Sequence, residues 1–197
     1  VKTYGFPQYS SEWWSVRAGI PTASCADKIL TPTGKLSAQS EAYLNQLLAE
    51  RAGYGDEPTE PTDWMLRGLE LEPEARAYYE LETGQTVLQV GFLTNEDGTA
   101  GCSPDGLLPD AGWEVKCPKA STHFGYLRAN ELPPYYAPQV HFSMAVTGLD
   151  RWVFMSYFPG LDPLIVQVER GPYTDLIAKA VAEFVLRLER EAKRFGL

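Results

Sequence analysis

Cys102-Ser103-Pro104-Asp105-Gly106, then Trp113-Glu114-Val115-Lys116-Cys117-Pro118, is the stretch that decides how this chain is read. Residues 99–108 and 112–117 read as two short strands, parted by the turn signal Pro109-Asp110-Ala111-Gly112. Asp105 falls at a turn between strand stretches. Glu114 and Lys116, two apart on a strand, point to the same face. If the two strands pair, an acid from each and one lysine converge. Neighbouring carboxylates repel unless they share a proton or a cation. Oxygen ligands of this kind suit Mg²⁺ or Mn²⁺, and a lysine beside them can orient or help deprotonate a metal-bound water.

Upstream, Ser10 or Ser11 caps a short helix through Trp13, Trp14 and Val16, which Gly19 ends. A second short helix opens at Thr22 or Ser24 and reaches Leu30, and residues 31–34 form a loop. Residues 37–52 read as a helix with Tyr43, Leu44, Leu47 and Leu48 on one stripe, and residues 53–61 as a linking loop. Residues 62–83 are helical again, with Tyr78, Tyr79 and Leu81 on the apolar side. Pro73 must kink that helix or start a new segment. Residues 85–94 read as a strand. Downstream, residues 135–147 form a helix stopped by Gly148, and 151–158 and 164–169 a strand pair. A last helix, 174–195, has Ile177, Val181, Phe184, Val185 and Leu188 on its core face. The expectation is an α/β fold: one domain over residues 1–197, with a mixed central β-sheet flanked by helices.

Length and composition agree with one globular domain: 197 residues, 44% hydrophobic and 22% charged. No apolar run approaches the ~20 residues that cross a bilayer, and residues 1–5 lack the apolar stretch of a signal peptide. A cytoplasmic location is expected. Cys25, Cys102 and Cys117 form no Cys-x-x-Cys pair, which argues against a disulfide framework, a zinc ribbon or an iron–sulfur cluster. They read as buried free thiols. The net charge of −9 runs against ordinary DNA binding, since phosphates are held by Lys and Arg. Cations in a carboxylate site and a basic inner surface would both soften that conflict.

Pro104-Asp105 followed by Glu114-Val115-Lys116 resembles the PD-(D/E)xK pattern of metal-dependent nucleases with a restriction-endonuclease-like core. Five ordered blocks resemble the phage lambda exonuclease family. They are residues 17–24 (RAGIPTAS), 68–72 (GLELE), 103–106 (SPDG), 114–118 (EVKCP) and 139–144 (QVHFSM). The resemblance implies a bacterial or phage-encoded 5′→3′ exonuclease that degrades one strand of duplex DNA from its ends. It implies Mg²⁺, two ions per site, with Mn²⁺ as a substitute. It also implies a ring of three subunits and delivery of the product strand to a single-strand annealing protein. By position, Glu72, Asp105, Glu114 and the carbonyl of Val115 would ligate metal, and Lys116 would position the attacking water. Arg17, Ser24, Ser103 and Gln139 would hold the 5′ phosphate. Two ions ~4 Å apart can clamp the attacking and leaving oxygens of an in-line displacement. Asp97 lies near an acid that relatives can carry, but stays outside this ligand set.

Blander roles exist for several of these residues. Arg17 can pack over an indole, Ser24 can cap a helix, and Gln139 can satisfy buried backbone groups. Glu70 and Glu74 read as a solvated face. His123 and His141 are assigned no metal. Trp13, Trp14, Tyr135 and Tyr136 read as core. Two other functions fit the same residues: an endonuclease of the same superfamily, and a non-catalytic DNA-end binder, which the intact Asp105, Glu114 and Lys116 disfavour.

Overall fold

The computed structural model describes residues 1–55 and 62–197, so the end of the expected 53–61 loop, residues 56–61, lies outside the described residues. The elements run β1 (Lys2–Tyr4), α1 (Ser11–Arg17), a 3₁₀ helix (Ala23–Lys28), α2 (Ser40–Arg51), α3 (Asp63–Thr83), β2 (Phe92–Thr94), β3 (Gly101–Cys102), β4 (Gly106–Leu107) and β5 (Gly112–Lys116). They continue as α4 (Ala120–Ala129), a 3₁₀ turn (Pro134–Tyr136), α5 (Ala137–Thr147), β6 (Arg151–Ser156), β7 (Leu164–Glu169) and α6 (Pro172–Phe195). The class is α/β, as the sequence predicts. The strands form two sheets rather than one: β1-β2-β3, and the mixed sheet β4-β5-β6-β7.

β5 runs antiparallel to β4 and parallel to β6, with Glu114 opposite Phe154 and Lys116 opposite Ser156. Alternation along these strands sorts their side chains. Trp113, Val115, Val153 and Met155 pack with Ala75 and Tyr79 of α3. Trp152 packs with Val140 and Met144 of α5 on the opposite face. The other side of α5, through Phe142 and Val146, enters a larger core with Tyr43, Leu47, Ile177, Phe184 and Leu188. α5 therefore has apolar contacts on two sides, and the expected stripes of α2 and α6 meet directly, with Tyr43 stacked on Phe184. Ser10 caps α1 by accepting from the Trp13 amide at 3.2 Å, as its position predicts.

Several expectations need correction. Pro73 starts no new segment, since α3 continues through it from Asp63 to Thr83. Ala75 and Tyr79, buried just beyond the proline, hold the helix where its backbone bond is lost. Residues 85–91 are not a regular strand; only a bridge from Leu88 to Leu107 precedes β2. The expected 99–108 strand is broken at Ser103-Pro104-Asp105, where proline cannot donate to a ladder. Its halves serve different sheets. Leu81, Trp14 and Tyr135 are exposed rather than core, Tyr135 to 72%. The α4 helix and β1 have no counterpart in the sequence reading. Among the described residues no helix is long and apolar enough to cross a membrane.

Candidate active site

The break between β3 and β4 puts Asp105 beside the middle of β5. The Val115 amide donates to Asp105 Oδ2 at 2.7 Å. The two strands therefore bring together the acids that the sequence spacing suggested. Glu114 is buried, 2% exposed. Its Oε1 accepts from Lys116 Nζ and from Gln139 Nε2, each at 2.5 Å. Lys116 also lies 5.6 Å from the centre of the Tyr136 ring. Glu72 projects from α3 into the same clefts as Asp105.

Burial raises the proton affinity of the Asp105 carboxyl well above the ordinary range, and the Glu114 charge adds to the effect. Burial also raises Glu72, although Arg76 and Lys116 oppose it. Burial works against the charge on Lys116, but Glu114 and Asp105 outweigh it and hold the ammonium above its ordinary value. Two carboxyls short of positive charge, with one lysine between several acids, make a donor set that fits a divalent cation by charge and by oxygen chemistry. Among the described residues, no three acid, histidine or cysteine side chains close into a ready-made cage. Glu114 is turned onto Lys116 and Gln139 and would have to share those donors.

A second cluster lies at the other end of the same strand break. Arg17 Nη1 donates to Ser103 Oγ at 2.9 Å and Nη2 to Ser24 Oγ at 3.3 Å. Trp13 Nε1 donates to Ser103 Oγ at 2.9 Å and to the Gly91 carbonyl at 3.1 Å. Arg17 also stacks over Trp13, 4.0 Å from the ring centre, so the packing role is met together with the hydroxyl contacts. The guanidinium is half-buried, yet among the described residues no carboxylate pairs with it. Burial lowers its proton affinity. A partly desolvated cation with hydroxyls around it and no counter-ion is suited to an incoming anion.

Gln139 is not bonded into this cluster; its amide is engaged by Glu114. Ser24 is no cap, because Thr22 holds that position on the 3₁₀ helix. Glu74 is not merely solvated: Tyr157 donates to it at 2.6 Å. Glu96 and Asp97 lie exposed in the turn between β2 and β3. His123 bonds Ser156 and the Asp162 carbonyl, and His141 bonds Thr174, leaving both in structural roles. All three cysteines are free as expected, but only Cys102 is buried, Cys25 and Cys117 being partly exposed.

Two clefts, of about 560 and 440 Å³, share Tyr9, Leu69, Glu72 and Asp105. The larger also carries Lys116, Lys119 and Trp64, with Lys119 Nζ 4.4 Å from the Trp64 ring centre. Lys119 sits just before α4, and the sequence reading missed both.

Residues 12–150 match the family model described as the YqaJ-like viral recombinase domain, a span that holds Arg17, Glu72, Asp105, Glu114, Lys116 and Gln139. The chain belongs to that family. The resemblance to the lambda exonuclease family is thereby upheld. Among solved structures, the alkaline exonuclease LHK-Exo from Laribacter hongkongensis is 32% identical, with a TM-score of 0.83 over 95% of this chain and 96% of that one. A structure of LHK-Exo in complex with dAMP aligns at 31% identity and a TM-score of 0.82, over 94% and 96% of the two chains. A phage-related exonuclease from Haemophilus somnus 129PT, 14% identical, shares the fold with a TM-score of 0.62, over 87% and 96%. No curated protein matches the chain.

Proposed function

We propose that this chain is a Mg²⁺-dependent exonuclease that hydrolyses one strand of duplex DNA from its 5′ end, releases mononucleotides and leaves a 3′ single strand. The observation that carries this reading is the juxtaposition of the two clusters. Ser103, bonded to Arg17, which among the described residues has no carboxylate partner, is two residues from Asp105, which is bonded to β5 beside Glu114 and Lys116. A terminal phosphate held at Arg17, Ser24 and Ser103 would set the scissile bond about one nucleotide further on, at the acids. The likeness to an alkaline exonuclease supports the reading, as does its complex with dAMP, a mononucleotide.

In this reading Glu72, Asp105, Glu114 and the Val115 carbonyl hold the metal, which when bound supplies positive charge to the reacting oxygens and a water acidic enough to attack near neutral pH. The chain's own groups do the rest. The Val115 amide fixes Asp105, and Gln139 fixes Glu114. Lys116, held as an ammonium, donates hydrogen bonds that position the attacking water and offset charge on the phosphoryl group. Lys119 in the larger cleft, and Arg67, which donates to the carbonyl of the lining residue Cys117, add cationic character beside the acids, so the net charge of −9 does not describe the field at the site.

The test is digestion of end-labelled linear duplex carrying 5′-phosphate or 5′-hydroxyl ends, beside closed circular DNA. Release of labelled mononucleotide from 5′-phosphorylated ends, with circles spared, is expected. Cutting of closed circles would point instead to an endonuclease. Mg²⁺ and Mn²⁺ are expected to support turnover, whereas Ca²⁺ supports binding with little cleavage because its looser coordination places the water poorly. Full activity in EDTA would refute the metal site.

The reading extends to assembly. An acidic chain keeps hold of DNA more easily by enclosing it than by charge attraction, so a closed ring of three subunits is part of it, with the 3′ strand passed to an annealing protein. Light scattering is expected to give three times the chain mass at micromolar concentration; a stable monomer would count against the ring.

A further inference from the structure

Tyr9 is one of two non-glycine residues with positive φ among the described residues, at 69°. Positive φ is unfavourable for a bulky side chain, and such outliers persist where surrounding structure over-determines them. Here the anchoring is explicit. The Ser10 amide closes a turn onto the Pro7 carbonyl at 3.2 Å, with Tyr9 at the position where a turn with positive φ ordinarily takes Gly or Asn. On one side of Tyr9, Ser10 caps α1. On the other, Gln8 Nε2 donates to the Pro104 carbonyl at 3.0 Å and to the Val90 carbonyl at 3.3 Å. The strained residue is thus pinned between the first helix and the residue preceding Asp105.

The side chain delivered by this backbone is not core. Tyr9 is 50% exposed. Its ring packs on Trp13, 5.1 Å between centroids and tilted by 41°, and Trp13 in turn carries Arg17 on its face. Tyr9 also lines both clefts, together with Glu72 and Asp105. It therefore stands between the phosphate cluster and the acids, in the interval that one nucleotide has to span.

We propose that Tyr9 is a positioning residue for the terminal nucleotide, its ring forming the wall against which the nucleoside packs while the 5′ phosphate sits at Arg17. Every base offers a flat apolar face, so such a contact tolerates any sequence, as an enzyme that removes successive nucleotides requires. The strained backbone is the means by which the ring is turned out of the core and into the path of the substrate.

This inference rests on the exonuclease reading, so the experiment separates the two. Binding of dAMP is measured by calorimetry on wild-type protein, Tyr9→Phe, Tyr9→Gly and Arg17→Ala, in Ca²⁺ and in EDTA, with melting temperatures alongside. Glycine accepts the positive φ without strain, so Tyr9→Gly is expected to stay folded. It is also expected to lose dAMP affinity by about fivefold to a hundredfold, whereas Tyr9→Phe keeps the ring and stays within about twofold of wild type. Wild-type binding that Tyr9→Gly leaves unchanged, while Arg17→Ala weakens it, would overturn the role of Tyr9 alone. Absence of wild-type binding in both conditions would overturn the nucleotide site and the proposal with it. If Tyr9→Gly proves unstable, Tyr9→Asn, which also tolerates positive φ but lacks the ring, decides by the same affinity readout.

Discussion

Asp105→Asn is expected to abolish strand digestion, by at least about 10³-fold, because the cation that an aspartate here would help hold contributes several kcal/mol to phosphoryl transfer. The fold should survive. Asparagine is nearly isosteric and its amide oxygen can still accept from the Val115 N–H, the bond that ties the break between β3 and β4 to β5. In EDTA the variant is expected to melt at a higher temperature than wild type near neutral pH. Burial, and then the charge of Glu114, raises the Asp105 carboxyl well above its ordinary range, so the folded protein binds that proton more tightly than the unfolded chain does. The ionised carboxylate therefore costs the fold nothing below about pH 4, the ordinary aspartate range. Its cost grows as pH rises from there toward the raised folded value. The advantage of Asp105→Asn should accordingly shrink as pH is lowered toward 4, and Mg²⁺ should raise the melting temperature of wild type much more than that of the variant. Paired thermal melts at several pH values, with and without Mg²⁺, check this. Near-normal digestion by the variant would remove Asp105 from the site.

What was legible in the sequence follows from how far each signal reaches along the chain. Glu114 and Lys116 were placed on one face because the period of a strand is two, and Asp105 was brought to them by a turn only a few residues away. The core stripe of α6 and the Ser10 cap are equally local. α4 was missed because its sequence, with Gly125 inside and no side-chain cap at Lys119, carries weak helical punctuation. β1 is three residues long and exists through pairing with residues about ninety positions away. Residues 85–91 have strand-like composition, but most of that stretch finds no regular partner. Gln139 shows the limit most sharply. Its position in an ordered block pointed to the phosphate cluster, whereas the packing of α5 against β5 sets its amide on Glu114. Tyr9 left no trace in the pattern, since a positive φ at tyrosine is contrary to the residue's own preference and is imposed by Gln8, Ser10 and the segment they grip.

Arg17→Ala is expected to slow digestion of 5′-phosphorylated duplex strongly and digestion of 5′-hydroxyl duplex far less. The guanidinium spends one nitrogen on Ser103 and another on Ser24, and among the described residues no carboxylate neutralises it. An incoming terminal phosphate would supply the missing charge, with the hydroxyls of Ser24 and Ser103 turned to donate beside it. Removing one charge-assisted contact costs ~1.5–3 kcal/mol, a loss of about tenfold to a hundred-and-fiftyfold. Arg17→Lys should fall between, because a lysine keeps the charge but not the fork that spans two hydroxyls. Alanine also leaves the Trp13 face uncovered. Packing loss of that kind lowers the melting temperature and slows both substrates alike, so the ratio of initial rates on the two ends isolates the phosphate contact. After each cut the new 5′ phosphate lies about one nucleotide from the vacated cluster, and its attraction to Arg17 would draw the strand forward. The variant should therefore release fewer nucleotides per binding event on long phosphorylated duplex. An equal loss on phosphorylated and hydroxyl ends would assign Arg17 to packing or to general DNA affinity, and the direction of digestion would then need another origin.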